Sequence, residues 1–365
     1  MHNPYNGRIK NFDKITLILV CLLSLCGLLA IYSATYSYGS LSNVITQGVS
    51  FLLGLALMIA LTFFDYEQYE GMVKYIGGVA VFLLILVLFI GKGSGDWGAK
   101  SWIRIGSFGI QPTEIAKVAF ILTFSYHLTL VRDTVNKPLT LLKLILHAAV
   151  PIGLILLQPD AGSAMVFIFI FLVMIFTAGL SYKYIIPAGV LGIASLPVIY
   201  SCLNEFQKAR IRVFFNPESD PLYRGYNVIQ SKIAVGSGRL FGCGFLKGSQ
   251  TQLEFLPAKH TDFIFSVICE EFGLIGAGII ILMLTLLILR CIKTAKNSNS
   301  PFGKYIAVGV SAMFIFHTLE NCGMCIGLTP VTGIPLPFIS YGGTSLLSYM
   351  IAVGLVMSVA YRSKK

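Results

Sequence analysis

NEFQKARIRVFFNPESDPLYRGYNVIQSKIAVGSGRLFGCGFLKGSQTQLEFLPAKHTDFIF, residues 204–265, is the one long polar stretch of the chain. What flanks it decides the fold. On both sides run apolar segments of about 20 residues, the length that crosses a bilayer as a helix. Of the 365 residues, 56% are hydrophobic and only 12% charged, with a mean hydropathy of +0.80. Soluble domains carry about 25% charged residues, so that class is excluded and the chain reads as an all-α integral membrane protein. Met1 to Lys14 is polar and basic, and the following apolar run lacks a small-residue cleavage site. The first span is therefore expected to stay as an anchor.

Outward from the polar stretch, ten transmembrane helices are predicted at 15–33, 44–64, 72–91, 112–131, 139–157, 161–180, 184–203, 262–289, 304–328 and 343–361, in a single domain covering 1–365. A net charge of +11 would suggest nucleic acid in a soluble protein. Here the charge sorts by side, and no nucleic-acid partner is expected. With the N-terminus in the cytoplasm, that side collects Arg8, Lys10, Lys14, Lys74, Arg132, Lys137, Lys143, Lys183, Arg290, Lys293, Lys296, Lys304 and the terminal Arg362, Lys364 and Lys365. The short opposite loops hold only Lys92, Lys100 and Arg104, with Lys117 at a helix start. The positive-inside rule then puts both termini in the cytoplasm and the 204–262 loop, between helices 7 and 8, outside.

Several local patterns resolve against a cofactor. Gly93-Ser-Gly-Asp-Trp-Gly98 fits a dinucleotide fingerprint but follows a membrane helix and opens no βαβ unit. Gly242 to Ser249 imitates a phosphate loop with lysine and glycine in the wrong order, so the glycine-rich patch 236–248 reads as flexible backbone. Trp97, Trp102, Lys100 and Arg104 make 91–112 an interfacial segment. Of eight cysteines, Cys322 and Cys325 have half a zinc spacing without a second pair, and no metal is assigned. A divalent cation is left open.

Ionisable groups within spans are costly and so mark function or a buried partner. Glu114 and Lys117, at i,i+3 after Gln111-Pro112, are either an ion pair stapling the helix or an anion site. Asp160, in Gln158-Pro-Asp, and Asp262 both suit helix N-caps. His317, Glu320 and Asn321 suit interhelical hydrogen bonds. One of Glu270 and Glu271 should face the interior of span eight. Arg210 and Arg212 suit phosphate groups or lipid headgroups.

The run Asn321, Gly327-Leu328, Pro330-Val331, Gly333-Ile334, Phe338-Ile339 and Ser340-Tyr-Gly-Gly-Thr-Ser345 resembles the signature of the SEDS family of cell-wall proteins. Gln111 to Lys117, Gln158 to Gly162, and Gln252 to Pro257 leading into His260-Thr-Asp-Phe-Ile-Phe265 are similar to further blocks of that family. The resemblance covers nearly the whole chain and, through Gly225 to Lys232, favours the rod-shape branch. Departures occur at Thr46, Tyr223-Arg224, Cys243 and Ala258, and the first puts a basic role on span two in doubt.

The resemblance implies a peptidoglycan glycosyltransferase of the bacterial inner membrane that polymerises lipid II and releases undecaprenyl diphosphate. The implied partners are a class B penicillin-binding protein transpeptidase, other elongation-complex membrane proteins and membrane lipid. It also implies Asp262 as the essential catalytic residue, with Lys117, Glu114, Arg210, Arg212, Asp160, Lys259, Gln111 and Ser340 as candidates for substrate contact. Joining a sugar hydroxyl to an anomeric carbon that carries diphosphate needs one base and several cations, because the leaving group needs no acid. The competing classes are a flippase for the same precursor, since transporters also carry broken spans and intramembrane charges, and a scaffold for the transpeptidase.

Overall fold

The computed structural model describes residues 12–91, 101–105, 108–203, 205–222 and 224–363. The expectations for Arg8, Lys10, Trp97, Gly93–Gly98, Lys92, Lys100, Tyr223, Lys364 and Lys365 lie outside the described residues. The chain folds as a helical bundle: α1 (Lys14–Thr35), α2 (Ser42–Phe63), α3 (Tyr69–Ile90), α4 (Pro112–Val131), α5 (Pro138–Leu156), α6 (Ala161–Thr177) and α7 (Tyr182–Cys202) precede the polar stretch. Within it lie α8 (Glu205–Phe215), α9 (Arg224–Ser237) and α10 (Ser249–Gln252). Then come α11 (Ile264–Asn297), α12 (Pro301–Ile326) and α13 (Gly343–Arg362). Among the described residues eight helices are long and apolar enough to cross a membrane, and α6 and α7 are shorter apolar helices.

Burial separates an inner layer from an outer one. The apolar windows of α4, α12 and α13 are 67%, 72% and 72% buried, against 22% for α2, α3 and α5. The outer helices show leucine and phenylalanine to the surface, as lipid-facing helices must. α13 packs closely along α2, where Gly54 lies under Met350 and Gly354 against Met58 and Leu61. Small residues at such contacts let two helices approach without a hydrophobic drive. α7 differs from the rest: it holds no buried residue among those described.

One segment gains a structure and one expectation is corrected. Within the expected interfacial segment, β1 (Ile103–Ile105) pairs antiparallel with β2 (Phe108–Ile110), and Trp102 lies over Gly109. The hairpin rests on α13, where the Thr344 hydroxyl donates to the Gly109 carbonyl at 3.0 Å. About half of the polar stretch is helical, and the glycine-rich patch expected to be flexible backbone is instead packed against α11 at Gly238 and Gly242.

The packing partner is a break in α11. Gly273, at φ 64° and ψ −164°, stands in a region essentially closed to other residues. Breaking a helix orphans carbonyls before the break and N–H groups after it. The Cys243 and Gly244 N–H groups donate to the carbonyls of Glu270 and Glu271 at 2.9 and 3.0 Å. The Leu274 and Ile275 N–H groups donate to those of Arg239 and Leu240 at 2.9 and 3.2 Å. A side chain on Gly238 or Gly242 would overlap the Cys269 or Glu271 carbonyl, so the glycines permit this splice. Residues 274–297 alone span about 36 Å at 1.5 Å per residue, enough for a hydrocarbon core of about 30 Å. Glu270 and Glu271 therefore precede the long arm. Glu270 accepts from the Gln250 N–H at 2.7 Å and from the Thr251 N–H at 3.1 Å and hydroxyl at 2.6 Å, while Glu271 accepts from Ser33 at 2.5 Å.

Gly273→Ala is expected to destabilise by roughly 2–3 kcal/mol, because alanine is strained in this backbone and its Cβ would meet the backbone of Leu240 and Gly242. A lowered thermal midpoint in detergent checks it. An unchanged midpoint would show that the break relaxes freely.

Candidate active site

Asp262 stands at the end of the polar stretch, in a turn that folds back on itself. The Thr261 and Phe263 N–H groups both donate to the Ala258 carbonyl, and Phe263 is wholly buried. The turn is tied to the last external loop, because the Tyr341 N–H donates to the His260 carbonyl at 2.9 Å and the two rings pack at 5.6 Å. Asn321 completes the fixing: its Nδ2 donates to the carbonyls of Asp262 at 2.9 Å and Ile334 at 2.8 Å.

The N-cap of α11 is Phe263 and no side chain caps it. The capping alternative for Asp262 therefore fails, whereas Asp160 does cap α6, accepting from the Ser163 N–H at 3.0 Å and hydroxyl at 2.7 Å. The Asp262 carboxylate is half-buried beneath Gly333, where an added Cβ would come to 3.4 Å of Oδ2. Dense surrounding protein pushes its pKa up to about 6, against the opposing pull of a Thr261 hydrogen bond and the Arg210 guanidinium. A group titrating there is ionised at neutral pH yet still basic enough to hold a proton.

The loop above Asp262, residues 327–342, is proline- and glycine-rich and cannot hold itself as helix. Side chains of α12 hold it instead. His317 and Asn321, one turn apart, meet the consecutive carbonyls of Pro335 and Ile334. Thr332 donates to Glu320 at 2.9 Å and Thr329 to its carbonyl at 3.2 Å. So this trio, expected between helices, chiefly holds a loop. Gln47 of α2, which the sequence reading passed over, donates to the Ser340 carbonyl at 3.2 Å and accepts from the Gly342 N–H at 3.1 Å.

Glu114 and Lys117 lie behind that loop, 2% and 1% exposed. The Lys117 ammonium donates to Glu114 Oε1 at 2.8 Å and to His317 Nε2 at 3.0 Å. Accepting at Nε2 leaves His317 its proton on Nδ1, which faces the Pro335 carbonyl at 3.1 Å and the Tyr349 oxygen at 2.9 Å. Ser348 donates to the other Glu114 oxygen at 3.3 Å. A chain of contacts thus runs from Glu114 through Lys117, His317, Pro335, Ile334 and Asn321 to Asp262. Of the two alternatives for the pair, the geometry is that of the buried ion pair.

The other candidates divide. Arg210 on α8 is half-buried and its positive charge draws the Asp262 pKa down, whereas Arg212 is exposed and pairs with Glu205 at 3.2 Å. Lys259 is 1% exposed and its ammonium is committed inside the protein, donating to the Thr251 carbonyl at 2.7 Å and Ser37 at 2.8 Å beside the Tyr38 ring. That partnering, not a ligand, accounts for its burial. The Ser340 hydroxyl is likewise occupied, accepting from the Leu336 N–H at 2.8 Å. Gln111, half-buried, is the residue before α4 and does not cap it by its side chain. The neighbouring Gly162 touches Thr332, so the capped end of α6 abuts the same loop. Lys232, the last residue of the Gly225–Lys232 block and given no role from the sequence, lies along Gly327 at the loop's start. Among the described residues no group of three or more His, Cys, Asp or Glu side chains is placed to hold a metal ion.

The family model described as cell cycle protein, for FtsW, RodA and SpoVE, matches residues 13–365. The peptidoglycan glycosyltransferase MrdB of Escherichia coli K12 is 37% identical over 353 residues, covering 96% of this chain and 93% of that protein. The peptidoglycan glycosyltransferase RodA of Treponema pallidum is 34% identical, covering 97% and 98%. Among solved structures, a chain from a peptidoglycan synthase complex described as coordinating polymerization and crosslinking superposes with a TM-score of 0.83 at 28% identity, covering 96% of this chain and 97% of that one. The rod shape determining protein RodA of Thermus thermophilus gives 0.73 at 26%, covering 97% and 98%.

Proposed function

The chain belongs to the FtsW, RodA and SpoVE family, and from that premise we propose that it is a peptidoglycan glycosyltransferase of the bacterial inner membrane that polymerises lipid II with Asp262 as general base. The observation that carries the assignment of the base is the half-buried Asp262 carboxylate beneath Gly333, free of a capping role, with its pKa raised to about 6 against the pull of the Arg210 charge. Asp262 takes the proton of the acceptor sugar hydroxyl as that oxygen bonds to the anomeric carbon of the donor. The anomeric carbon–phosphate oxygen bond breaks on the opposite face, and its electron pair leaves with undecaprenyl diphosphate. Arg210, whose charge acts on Asp262, and Lys232, at the start of the loop above it, are the cations that stabilise the departing charge. Lys117, Glu114, Asp160, Ser340 and Gln111 act by holding the loop and helix ends that shape the cleft.

In this reading the eight long helices with α6 and α7 make ten spans, which bring both termini to one side, and the excess of Lys and Arg makes that side the cytoplasm, with α8–α10 outside. That places Asp262 where lipid II is consumed for cell elongation and rod shape. A class B penicillin-binding protein is the proposed partner, in line with the synthase complex that the solved neighbour comes from. The test is growth of glycan chains from lipid II by the purified protein with and without the partner. In proteoliposomes supplied with external lipid II, polymer formation needs no flipping and separates the polymerase from a flippase. No polymer under either condition would overturn the reading. Arg210→Gln is expected to lower kcat/KM by roughly 10–100-fold while leaving the protein folded. Wild-type kinetics in that variant would remove Arg210 from the site.

A further inference from the structure

At the end of the bundle opposite Asp262, a cleft of about 360 Å³ opens between the C-terminal turns of α6 and α11 and the start of α12. That size lies at the lower end of ligand-binding cavities. Val173, Phe176, Ile292, Val308, Ala312 and Ile315 form its walls. Its two hydroxyls are turned to their own helices, Ser311 donating to the Ala307 carbonyl at 2.6 Å and Thr177 to that of Val173 at 2.8 Å. The body of the cleft therefore offers apolar contact only.

Its mouth is different. Lys296 in the last turn of α11 and Lys304 in the first turn of α12 line it from two sides. Neither ammonium is in an ion pair among the described residues, and Lys304 meets only the Tyr305 ring face, at 5.8 Å. Two cations at the helix ends above an apolar groove match a phosphate with its hydrocarbon chain laid below. We propose that this cleft binds one anionic phospholipid of the cytoplasmic leaflet, its phosphate between Lys296 and Lys304 and an acyl chain against Ile292, Val308 and Ile315. Charge decides for an anionic lipid over a zwitterionic one, whose own ammonium would face both lysines.

The site is independent of the polymerase reading, because binding is measured without substrate. Delipidated full-length protein in detergent is titrated with dioleoyl phosphatidylglycerol or dioleoyl phosphatidylcholine, and bound lipid is counted by native mass spectrometry. Wild-type protein should retain one phosphatidylglycerol in preference to phosphatidylcholine. Each cation contributes about fivefold, so Lys296→Gln with Lys304→Gln should weaken that binding about 25-fold and leave phosphatidylcholine unchanged. Val308→Trp keeps both charges and fills the groove, and should also lose the lipid. Equal retention of the two lipids by wild-type protein, or undiminished phosphatidylglycerol binding by either variant, overturns the proposal.

Discussion

Asp262→Asn should polymerise lipid II at no more than about a thousandth of the wild-type rate, within the range of a lost general base. Asparagine keeps the size and the backbone contacts, including the carbonyl held by Asn321, and removes only the proton acceptor. Wild-type activity should rise with pH up to about 6, where the carboxyl ionises, and then level off. A second readout moves the opposite way. The folded pKa is raised from 3.8 to about 6, so the folded state favours the protonated carboxyl. That contribution to stability is fully present below about 3.8 and is lost as pH rises through about 6. At pH 7.5 the variant should therefore be more stable than wild type, by up to about 3 kcal/mol, and the gain should disappear near pH 4. Thermal unfolding at both pH values measures it. A variant that is both inactive and destabilised at pH 7.5 would mean that Asp262 is structural, and retained chain growth would remove it as the base.

The bundle was legible because its cause is local: twenty apolar residues have few alternatives in a bilayer. Asp160 was legible as a cap for the same reason, since its partner is three residues away. The site was legible only in part. Asp262 could be singled out by motif, but its lack of a capping role depends on Phe263 occupying that place. The break at Gly273 left no mark in hydropathy, because the long apolar run after it outweighs Glu270 and Glu271 before it. Its stabilisers, residues 239–244, lie some thirty residues earlier and look like a flexible loop unless their glycines are placed against α11. Lys259 shows the same limit for charges. One residue type beside the catalytic turn suggests a diphosphate contact, and only the direction of its side chain, toward Ser37 and Tyr38, shows where the charge is used.

Lys117→Met should be the most damaging single change to stability. It strands the buried Glu114 carboxylate, which costs about 3–5 kcal/mol when a buried pair is broken from one side. It also takes the donor from His317, whose other nitrogen holds Pro335 in the loop above Asp262. The partner change gives the decisive comparison. Glu114→Gln with Lys117→Met contains no stranded charge, and the Gln amide can donate where the ammonium did. The double variant should recover to within about 1–2 kcal/mol of wild type, as neutral replacements of buried pairs do. If Lys117 acts only through the loop, this folded double variant keeps a KM within about threefold of wild type while kcat falls, because binding groups are intact and the geometry around Asp262 is loosened. Arg210→Gln, by contrast, removes a cation at the carboxylate itself. A folded double variant whose KM rises tenfold or more, like that of a lost phosphate contact, would show that the Lys117 ammonium reaches the substrate after all. In that case the loop opens during catalysis to expose a charge that the resting structure keeps buried beside His317 and Tyr349.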